Sequence, residues 1–99
     1  MRRRRRLLRR LLEKEGLTEF QIKVLEETCG IPFGQTRSYK WVARMAGKPR
    51  AVRAAGQALK RNPFPLLIPC HRVIRSDGSP GGFAWGERPK NNLLDLENP

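Results

Sequence analysis

The sequence predicts a small, mostly α-helical single domain, a winged helix-turn-helix-like fold in which a short strand or loop carries a reactive cysteine. Three observations support this prediction. The 99 residues can build one modest hydrophobic core but not two. Several segments place apolar residues at helical spacing. Two of the predicted helices are short and are joined by the tight connection Gly47-Lys48-Pro49, as in a helix-turn-helix.

Composition and charge limit the class of protein. Hydrophobic residues make up 38% of the chain and charged residues 30%, as in a globular domain. No apolar run approaches the ~20 residues of a membrane span, and no secretory signal follows the first arginines. The 21 Lys and Arg against 9 Asp and Glu give a formal net charge of +12. Such a charge indicates a polyanionic partner, most often nucleic acid, without separating DNA from RNA or an anionic membrane.

Cys29 and Cys70 are the only cysteines. Two cysteines are too few for a disulfide framework, so we expect a reducing compartment. Neither has the CxxC partner or second histidine that a zinc site requires, so we expect no metal. Cys29 falls near the end of a predicted helix and is interpreted as a small buried hydrophobe.

Residues 1–16 are predicted to form a basic N-terminal arm, separate from a domain over residues 17–99. Residues 2–6 are all arginine, and such a run is typically solvated. Leucines then recur at helical spacing up to residue 12, so a short amphipathic helix that ends at Gly16 and docks on the domain is the alternative. A membrane-surface helix is a weaker alternative, because the apolar face holds only four leucines. We favour a solvated arm that adds non-specific phosphate affinity.

The first half of the domain is predicted to contain three helices. Thr18 to Gln21 reads as a capping box that begins a helix ending near Gly30. A turn over residues 31–34 precedes a helix from about 36 to 46. The residues available for its packing are Tyr39, Val42, Ala43 and Met45. The third helix is expected from about 49 to 60, with Pro49 in its first turn.

The second half is predicted to contain short extended segments and one helix. Residues 62–65 are a stiff connection, 66–68 a short buried strand, and 73–75 a strand that ends in a turn at 76–79. Residues 80–86 form a loop with two aromatic residues. A last helix over about 89–96 is expected to pack through Leu93, Leu94 and Leu96.

Residues 68–74 combine one thiol with the only imidazole of the chain and a guanidinium, in the order Cys70, His71, Arg72. Positive neighbours favour the thiolate, so Cys70 is predicted to be a nucleophile. On an extended segment, neighbouring side chains point to opposite faces. We therefore expect His71 to reach Cys70 through a bridging water, and Arg72 to be structural or phosphate-facing.

Four blocks of the chain share a wider pattern. They are Ile31-Pro32-Phe33-Gly34 through Thr36-Arg37-Ser38-Tyr39, then Arg53-Ala54-Ala55-Gly56, then Asn62-Pro63, and finally Pro69-Cys70-His71-Arg72-Val73-Ile74. In this order and spacing they resemble the carboxy-terminal domain of the O6-alkylguanine–DNA alkyltransferases, also called methylated-DNA–protein-cysteine methyltransferases. The resemblance covers about residues 17–97.

The resemblance implies direct DNA repair in a single turnover. A member of this family binds duplex DNA, rotates an alkylated guanine out of the stack and transfers the O6-alkyl group irreversibly to a cysteine. By position, Cys70 would be the acceptor and His71 the base that acts through a water. Glu97 would orient His71, and Asn62 would be the hinge before the active-site segment.

The resemblance also implies a DNA-binding face and a lesion pocket. Arg53 would be the arginine finger that fills the gap left by the flipped base, and Tyr39 would crowd the phosphate and promote its rotation. Ser38, Ala54, Ala55, Gly56 and Lys60 would contact the DNA. The pocket would be formed by Tyr39, Val73, Phe83, Ala84 and Trp85.

The chain departs from the family pattern at two places. Its basic arm stands where most members carry a further domain. The loop Gly82-Phe83-Ala84-Trp85-Gly86 replaces the usual Gly-Tyr-(Ala/Ser)-Gly-Gly, and the Trp85 ring would narrow the pocket. We therefore expect methyl lesions to react well and benzyl-type lesions poorly.

The predicted partner is double-stranded DNA that contains O6-alkylguanine. We expect no cofactor, no membrane association, a monomer, and a cytoplasmic location (nuclear in a eukaryote). The alternative is a non-catalytic alkyltransferase-like protein that flags alkylated DNA for other machinery, although in such relatives the cysteine is replaced, commonly by tryptophan. A helix-turn-helix regulator is a third hypothesis, but it would not need the thiol.

Overall fold

The computed structural model describes residues 2–64, 68–76 and 87–97. Within these ranges the chain is mostly helical, which confirms the predicted fold class. In chain order the elements are α1 (Arg2–Lys14), α2 (Glu19–Cys29), β1 (Arg37–Ser38), α3 (Tyr39–Met45), α4 (Val52–Lys60), the 3₁₀ helix η1 (Cys70–Arg72), β2 (Val73–Ile74) and α5 (Glu87–Glu97). No helix in the described ranges is long and apolar enough to cross a membrane.

The first helix, α1, docks on α2 and belongs to the core, so the solvated arm that we favoured is wrong. Leu8 and Leu12 lie one turn apart and are buried. Between them, Arg9 pairs with Glu19 and Glu26 of α2 at 3.0 and 2.6 Å. Burial of two leucines and the pairing of Arg9 with two carboxylates hold α1 against α2. Gly16, at φ +73°, follows the helix as predicted.

The second helix begins with the predicted capping box. The Thr18 hydroxyl accepts a hydrogen bond from the Gln21 amide at 3.2 Å, and the Gln21 side chain accepts one from the Thr18 amide at 2.9 Å. The prediction that Cys29 is buried is wrong, because this residue is exposed. Thr28 takes the core position instead, and its hydroxyl donates to the Val24 carbonyl at 2.8 Å.

The predicted helix-turn-helix pair corresponds to α3 and α4, but both helices begin later than predicted. Ser38 caps α3 by accepting a hydrogen bond from the Trp41 amide at 3.0 Å, because the residues before Tyr39 are drawn into β1. The connection before Val52 is a turn, in which the Ala51 amide donates to the Lys48 carbonyl at 2.9 Å. Pro49 therefore lies outside α4.

Helices α2, α3 and α4 pack on one another around a small core. Its buried apolar residues on these helices are Ile22, Val24, Leu25, Val42, Ala43, Ala55, Ala58 and Leu59. Met45 was expected in this core but is 48% exposed, and Ala46 is buried in its place. The helix ends at Met45, and the chain that turns there presents the next residue to the core.

The last helix, α5, runs from Glu87 to Glu97 and is longer than predicted. Leu93 packs against the core as expected, whereas Leu96 is 75% exposed, contrary to the prediction. The face that meets the core is formed by Lys90, Leu93 and Glu97, at positions i, i+3 and i+7. Two of the three positions on this face are thus polar. A search for apolar residues at helical spacing therefore cannot identify the face.

The segment around Cys70 is not the extended strand that we predicted. Residues Cys70–Arg72 form a 3₁₀ helix, in which the Arg72 amide donates to the Pro69 carbonyl at 2.9 Å. The strand begins only at Val73, where β2 pairs in parallel with β1 in the register Arg37 to Val73. The predicted strand at 66–68, the turn at 76–79 and the loop at 80–86 lie largely or wholly outside the described residues.

The docking of α1 can be tested by truncating its leucines one at a time. Leu12 is fully buried and Leu11 is 43% exposed on the same helix. We expect Leu12→Ala to lower the free energy of unfolding by about 2–4 kcal/mol, and Leu11→Ala by less than about 1 kcal/mol. Urea unfolding followed by circular dichroism measures both values. Equal small losses would show that α1 does not share the core in solution.

Candidate active site and DNA-binding face

A buried thiol and a buried imidazole lie side by side in η1. Cys70 is 2% exposed and His71 is 3% exposed. The His71 Nε2 atom hydrogen-bonds to Oε2 of Glu97, at the last residue of α5. A 3₁₀ helix, unlike a strand, turns both residues into the protein while α5 supplies the carboxylate. The three side chains predicted to form a nucleophile, a base and an orienting group thus lie in one buried region.

The Glu97 carboxylate is held by four hydrogen bonds. Besides His71, it accepts two from Arg72, Nε to Oε1 at 2.7 Å and Nη2 to Oε2 at 3.3 Å, and a long one from the Gly34 amide at 3.5 Å. Burial raises the pKa of this carboxyl, but the hydrogen bonds from Arg72 and His71 outweigh burial and hold it below its usual value. Glu97 is therefore ionised at neutral pH.

Asn62 lies between α4 and the Cys70 segment, where the hinge was expected. Its side chain is buried, and both ends of its amide are used. The Nδ2 atom donates to the Ile68 carbonyl at 2.9 Å, and Oδ1 accepts from the Phe64 amide at 2.9 Å. A buried amide with satisfied hydrogen bonds fixes the path of the chain that leads into η1.

Lys90 is the main residue of this region that the sequence did not reveal. It is fully buried on α5, and its ammonium group donates to the Val73 carbonyl at 2.5 Å and to the Tyr39 hydroxyl at 3.1 Å. The ammonium nitrogen also lies 5.3 Å from the centroid of the Tyr39 ring. The helical spacing of Lys90 with Leu93 and Glu97 could have indicated that it faces inward. Lysine is rarely buried, however, so a sequence analysis assigns it to the solvent-exposed face.

An open groove of about 500 Å³ runs along the outer face of α4. Its lining contains the predicted residues Tyr39, Arg53, Gly56 and Lys60, together with Val52, Gln57 and Arg75, which were not predicted. Three of these side chains are cationic, as a surface for nucleic-acid phosphates requires. The Tyr39 ring forms one wall, and the position of a Gly56 Cβ would lie 4.0 Å from it.

The remaining predicted contacts fall into three groups. Ala54 is exposed, whereas the Ala55 side chain is fully buried in the core, so a contact of Ala55 with DNA would have to involve its backbone. Ser38 is half-buried and caps α3, which leaves its hydroxyl proton available for another acceptor. Phe83, Ala84 and Trp85 lie outside the described residues. In the described ranges, no group of three or more His, Cys, Asp or Glu side chains is arranged to hold a metal ion.

Comparison with known proteins identifies the family of this chain. The family model "6-O-methylguanine DNA methyltransferase, DNA binding domain" matches residues 19–99. The methylated-DNA–protein-cysteine methyltransferase of Methanosarcina barkeri is 54% identical over 86 residues, which cover 87% of this chain and 54% of the relative. The protein of the same name from Methanothermobacter thermautotrophicus is 53% identical over 88% of this chain and 48% of the relative. This chain thus spans about half the length of the curated relatives it matches.

Solved structures share the fold. Mycobacterium tuberculosis OGT in complex with DNA has a TM-score of 0.79 and 43% identity, over 82% of this chain and 50% of that one. Schizosaccharomyces pombe Atl1 in complex with damaged DNA containing O6-carboxymethylguanine has a TM-score of 0.73 and 35% identity, over 82% of this chain and 77% of that one. With a family model matching most of its length, this chain belongs to the 6-O-methylguanine DNA methyltransferase family.

Proposed function

We propose that this chain repairs DNA by direct reversal: it binds duplex DNA, extrudes an O6-alkylguanine and transfers the alkyl group to Cys70 in a single irreversible turnover. The observation that carries the proposal is the buried Cys70–His71 pair with Glu97 bonded to the imidazole, in a chain that also presents a cationic groove. A protein that only binds DNA would not need the buried thiol with its histidine and carboxylate. A hydrolase that uses a thiol would not need the cationic groove.

The proposed reaction is a displacement at the alkyl carbon. The Glu97 carboxylate accepts the Nε2–H of His71, so that Nδ1 is the basic nitrogen of the neutral ring. This nitrogen takes the thiol proton through a water, and the Cys70 sulfur attacks the alkyl carbon. A C–S bond forms and the C–O6 bond breaks. The electron pair passes to guanine, which takes up a proton from water and is restored, while His71 returns the thiol proton to water and the thioether on Cys70 is permanent.

The groove on α4 is the proposed DNA contact. Lys60 and Arg75 would neutralise phosphates, and Arg53 would occupy the space that the extruded base leaves, since a planar guanidinium can stack and still donate hydrogen bonds. Tyr39 would crowd the phosphate of the target nucleotide. Support comes from the relatives solved with DNA, one of them with DNA that contains O6-carboxymethylguanine.

Other roles follow from the same proposal. Asn62 would be the hinge of the active-site segment, and Trp85 would restrict the pocket to small alkyl groups. Residues 1–16, docked through α1, would add phosphate affinity to the domain over residues 17–99. The chain would act as a monomer, without a cofactor, in the compartment that contains the DNA.

A second candidate function is binding of damaged DNA without alkyl transfer. One observation favours it: Atl1, which is 35% identical to this chain with a TM-score of 0.73, was solved in complex with damaged DNA. The buried thiol beside a histidine–carboxylate pair favours transfer, because a lesion-binding protein has no use for a base directed at a thiol.

The two functions differ in the mass of the protein after reaction. We expect the wild-type protein, mixed with an excess of duplex that contains O6-methylguanine, to gain one methyl group on Cys70. Cys29→Ser should gain the same mass, because Cys29 is the other thiol and lies on the surface. Cys70→Ala should gain none but still bind the duplex. Intact-mass spectrometry and peptide mapping measure these outcomes, and a wild-type protein that binds without gaining mass would support the second function.

Close approach of DNA to α4 can be tested at Gly56. A methyl group there would meet only ordinary contact with Tyr39 in the unbound protein, and alanine is favoured over glycine inside a helix. We expect Gly56→Ala to stabilise the fold by about 0.5–1 kcal/mol and yet to weaken DNA binding, because the methyl group projects into the groove. Gly30→Ala, at the end of α2, is the control and should bind normally. Thermal unfolding and fluorescence anisotropy give the two quantities, and unweakened binding by Gly56→Ala would remove α4 from the contact.

The contribution of α1 to DNA binding can be tested without disturbing its docked leucines. Arg6 and Arg10 are exposed, so Arg6→Gln with Arg10→Gln should leave the stability unchanged. If each arginine neutralises one phosphate, the slope of log affinity against log salt should fall by roughly 0.9 per residue. Titrations at several salt concentrations measure this slope, and methyl transfer at saturating DNA should be unaffected. An unchanged slope would limit α1 to a structural role.

A further inference from the structure

Arg72 makes more contacts to the proposed relay than any role facing DNA requires. Two of its nitrogens bind the two oxygens of Glu97, as described above. The third, Nη1, donates to the Ile31 carbonyl at 2.8 Å, and the guanidinium lies 5.5 Å from the centroid of the Phe33 ring. The side chain is only 16% exposed. All three guanidinium nitrogens are thus committed inside the protein.

This arrangement fixes a carboxylate that would otherwise be loosely held. Glu97 is the last residue of α5, and helix ends fray unless their side chains are tied down. A guanidinium that binds both oxygens sets the plane of the carboxylate, because the two donors lie in one plane with a fixed separation. With that plane set, Oε2 is directed at His71.

The same contacts keep the carboxylate charged inside the protein. The titratable and charged groups that face Glu97 are His71 and Arg72, both from η1, while the turn at residues 31–34 presents a backbone amide. Asp95 on the same helix is exposed. Because the pKa of Glu97 is lowered on folding, this group stabilises the fold above its unfolded pKa, and that stability is lost as the pH falls through the folded value.

We propose that Arg72 is a positioning residue for alkyl transfer: its planar fork holds Glu97 against His71, and so keeps the imidazole in the orientation and tautomer that activate Cys70. This inference rests on the proposed function for its kinetic consequence. Its structural consequence, the state of the imidazole, does not depend on that function.

The test uses four variants and two readouts. The variants are Arg72→Met, which removes the fork, Arg72→Lys, which keeps one charged donor, Glu97→Gln, and the Arg72→Met/Glu97→Gln double substitution. Arg44→Met, which removes an arginine from the exposed end of α3, is the matched control. The first readout is the single-turnover rate of methyl transfer from a duplex containing O6-methylguanine. The second is the imidazole N–H resonance of ¹⁵N-labelled protein, which is unambiguous because His71 is the only histidine.

If Arg72 acts through Glu97, Arg72→Met should slow transfer by about tenfold to a hundredfold and abolish the protected Nε2–H resonance. Arg72→Lys should recover part of both, because one donor replaces two. The double substitution should be no slower than the slower single variant, since both remove the same interaction. Arg44→Met should match the wild type in both readouts.

Other results would overturn the proposal. An unchanged rate in Arg72→Met would do so, as would a rate loss that adds fully to that of Glu97→Gln while the Nε2–H resonance persists. If Arg72→Met does not fold, Arg72→Lys decides by the same two readouts against the wild type. A wild-type protein that transfers no methyl group would refute the proposed function, and the resonance would still show whether Arg72 positions His71.

Discussion

The region around Cys70 depends on buried charge at two positions of α5. Lys90 holds the Val73 carbonyl just after η1, and two turns further along the helix Glu97 holds His71 and Arg72 within it. Burying a charged group costs free energy unless hydrogen bonds replace its water, so both side chains must keep their partners for the segment to stay in place. Leu93, between them, supplies the apolar contact. Helix α5 thus positions the segment around Cys70 through the specific hydrogen bonds of Lys90 and Glu97, with one apolar contact between them.

Tyr39 links this region to the groove on α4. Its ring faces Gly56 in the groove, and its hydroxyl accepts a hydrogen bond from Lys90, which also binds the Val73 carbonyl. A phosphate that displaced the Tyr39 ring would therefore act on the same ammonium group that secures the start of β2. The connection runs through the Tyr39 hydroxyl, the Lys90 ammonium group and the Val73 carbonyl. Lysine is suited to its middle position because an ammonium group donates three hydrogen bonds and accepts none.

Features set by neighbouring residues, such as helix caps, were predictable from the sequence. Which side chains near a helix end face the core was harder to predict. The capping box at Thr18 and Gln21 depends on residues close in the chain and was predicted correctly, and Gly16 follows α1 as the docked-helix alternative had it. The partnership of Glu97 with His71 spans 26 residues and came only from the family resemblance. The errors at Cys29, Met45 and Leu96 have a common cause. Near a helix end, the residue that faces the core depends on where the helix stops, and tertiary contacts decide this.

The strand predicted at Cys70 failed for a different reason, and that failure bears on the chemistry. An apolar run next to a β-branched pair reads as extended, but Pro69 begins a 3₁₀ turn in which the Arg72 amide donates to the Pro69 carbonyl at 2.9 Å. A strand would have directed Cys70 and His71 to opposite faces. The turn buries both, whereas the second thiol, Cys29, is exposed at the end of a helix.

Burial of Cys70 reverses the usual relation between exposure and reactivity. A thiolate out of water is costly, so a buried cysteine is inert unless a base lies close enough to take its proton. His71, held by Glu97, can be that base for Cys70. This combination suits the proposed single-turnover reaction, because a thiol spent on a stray alkylating agent could not be recovered. Low exposure withholds the sulfur from small electrophiles in solution, and in the proposed reaction His71 would act on it only where the fold admits a substrate.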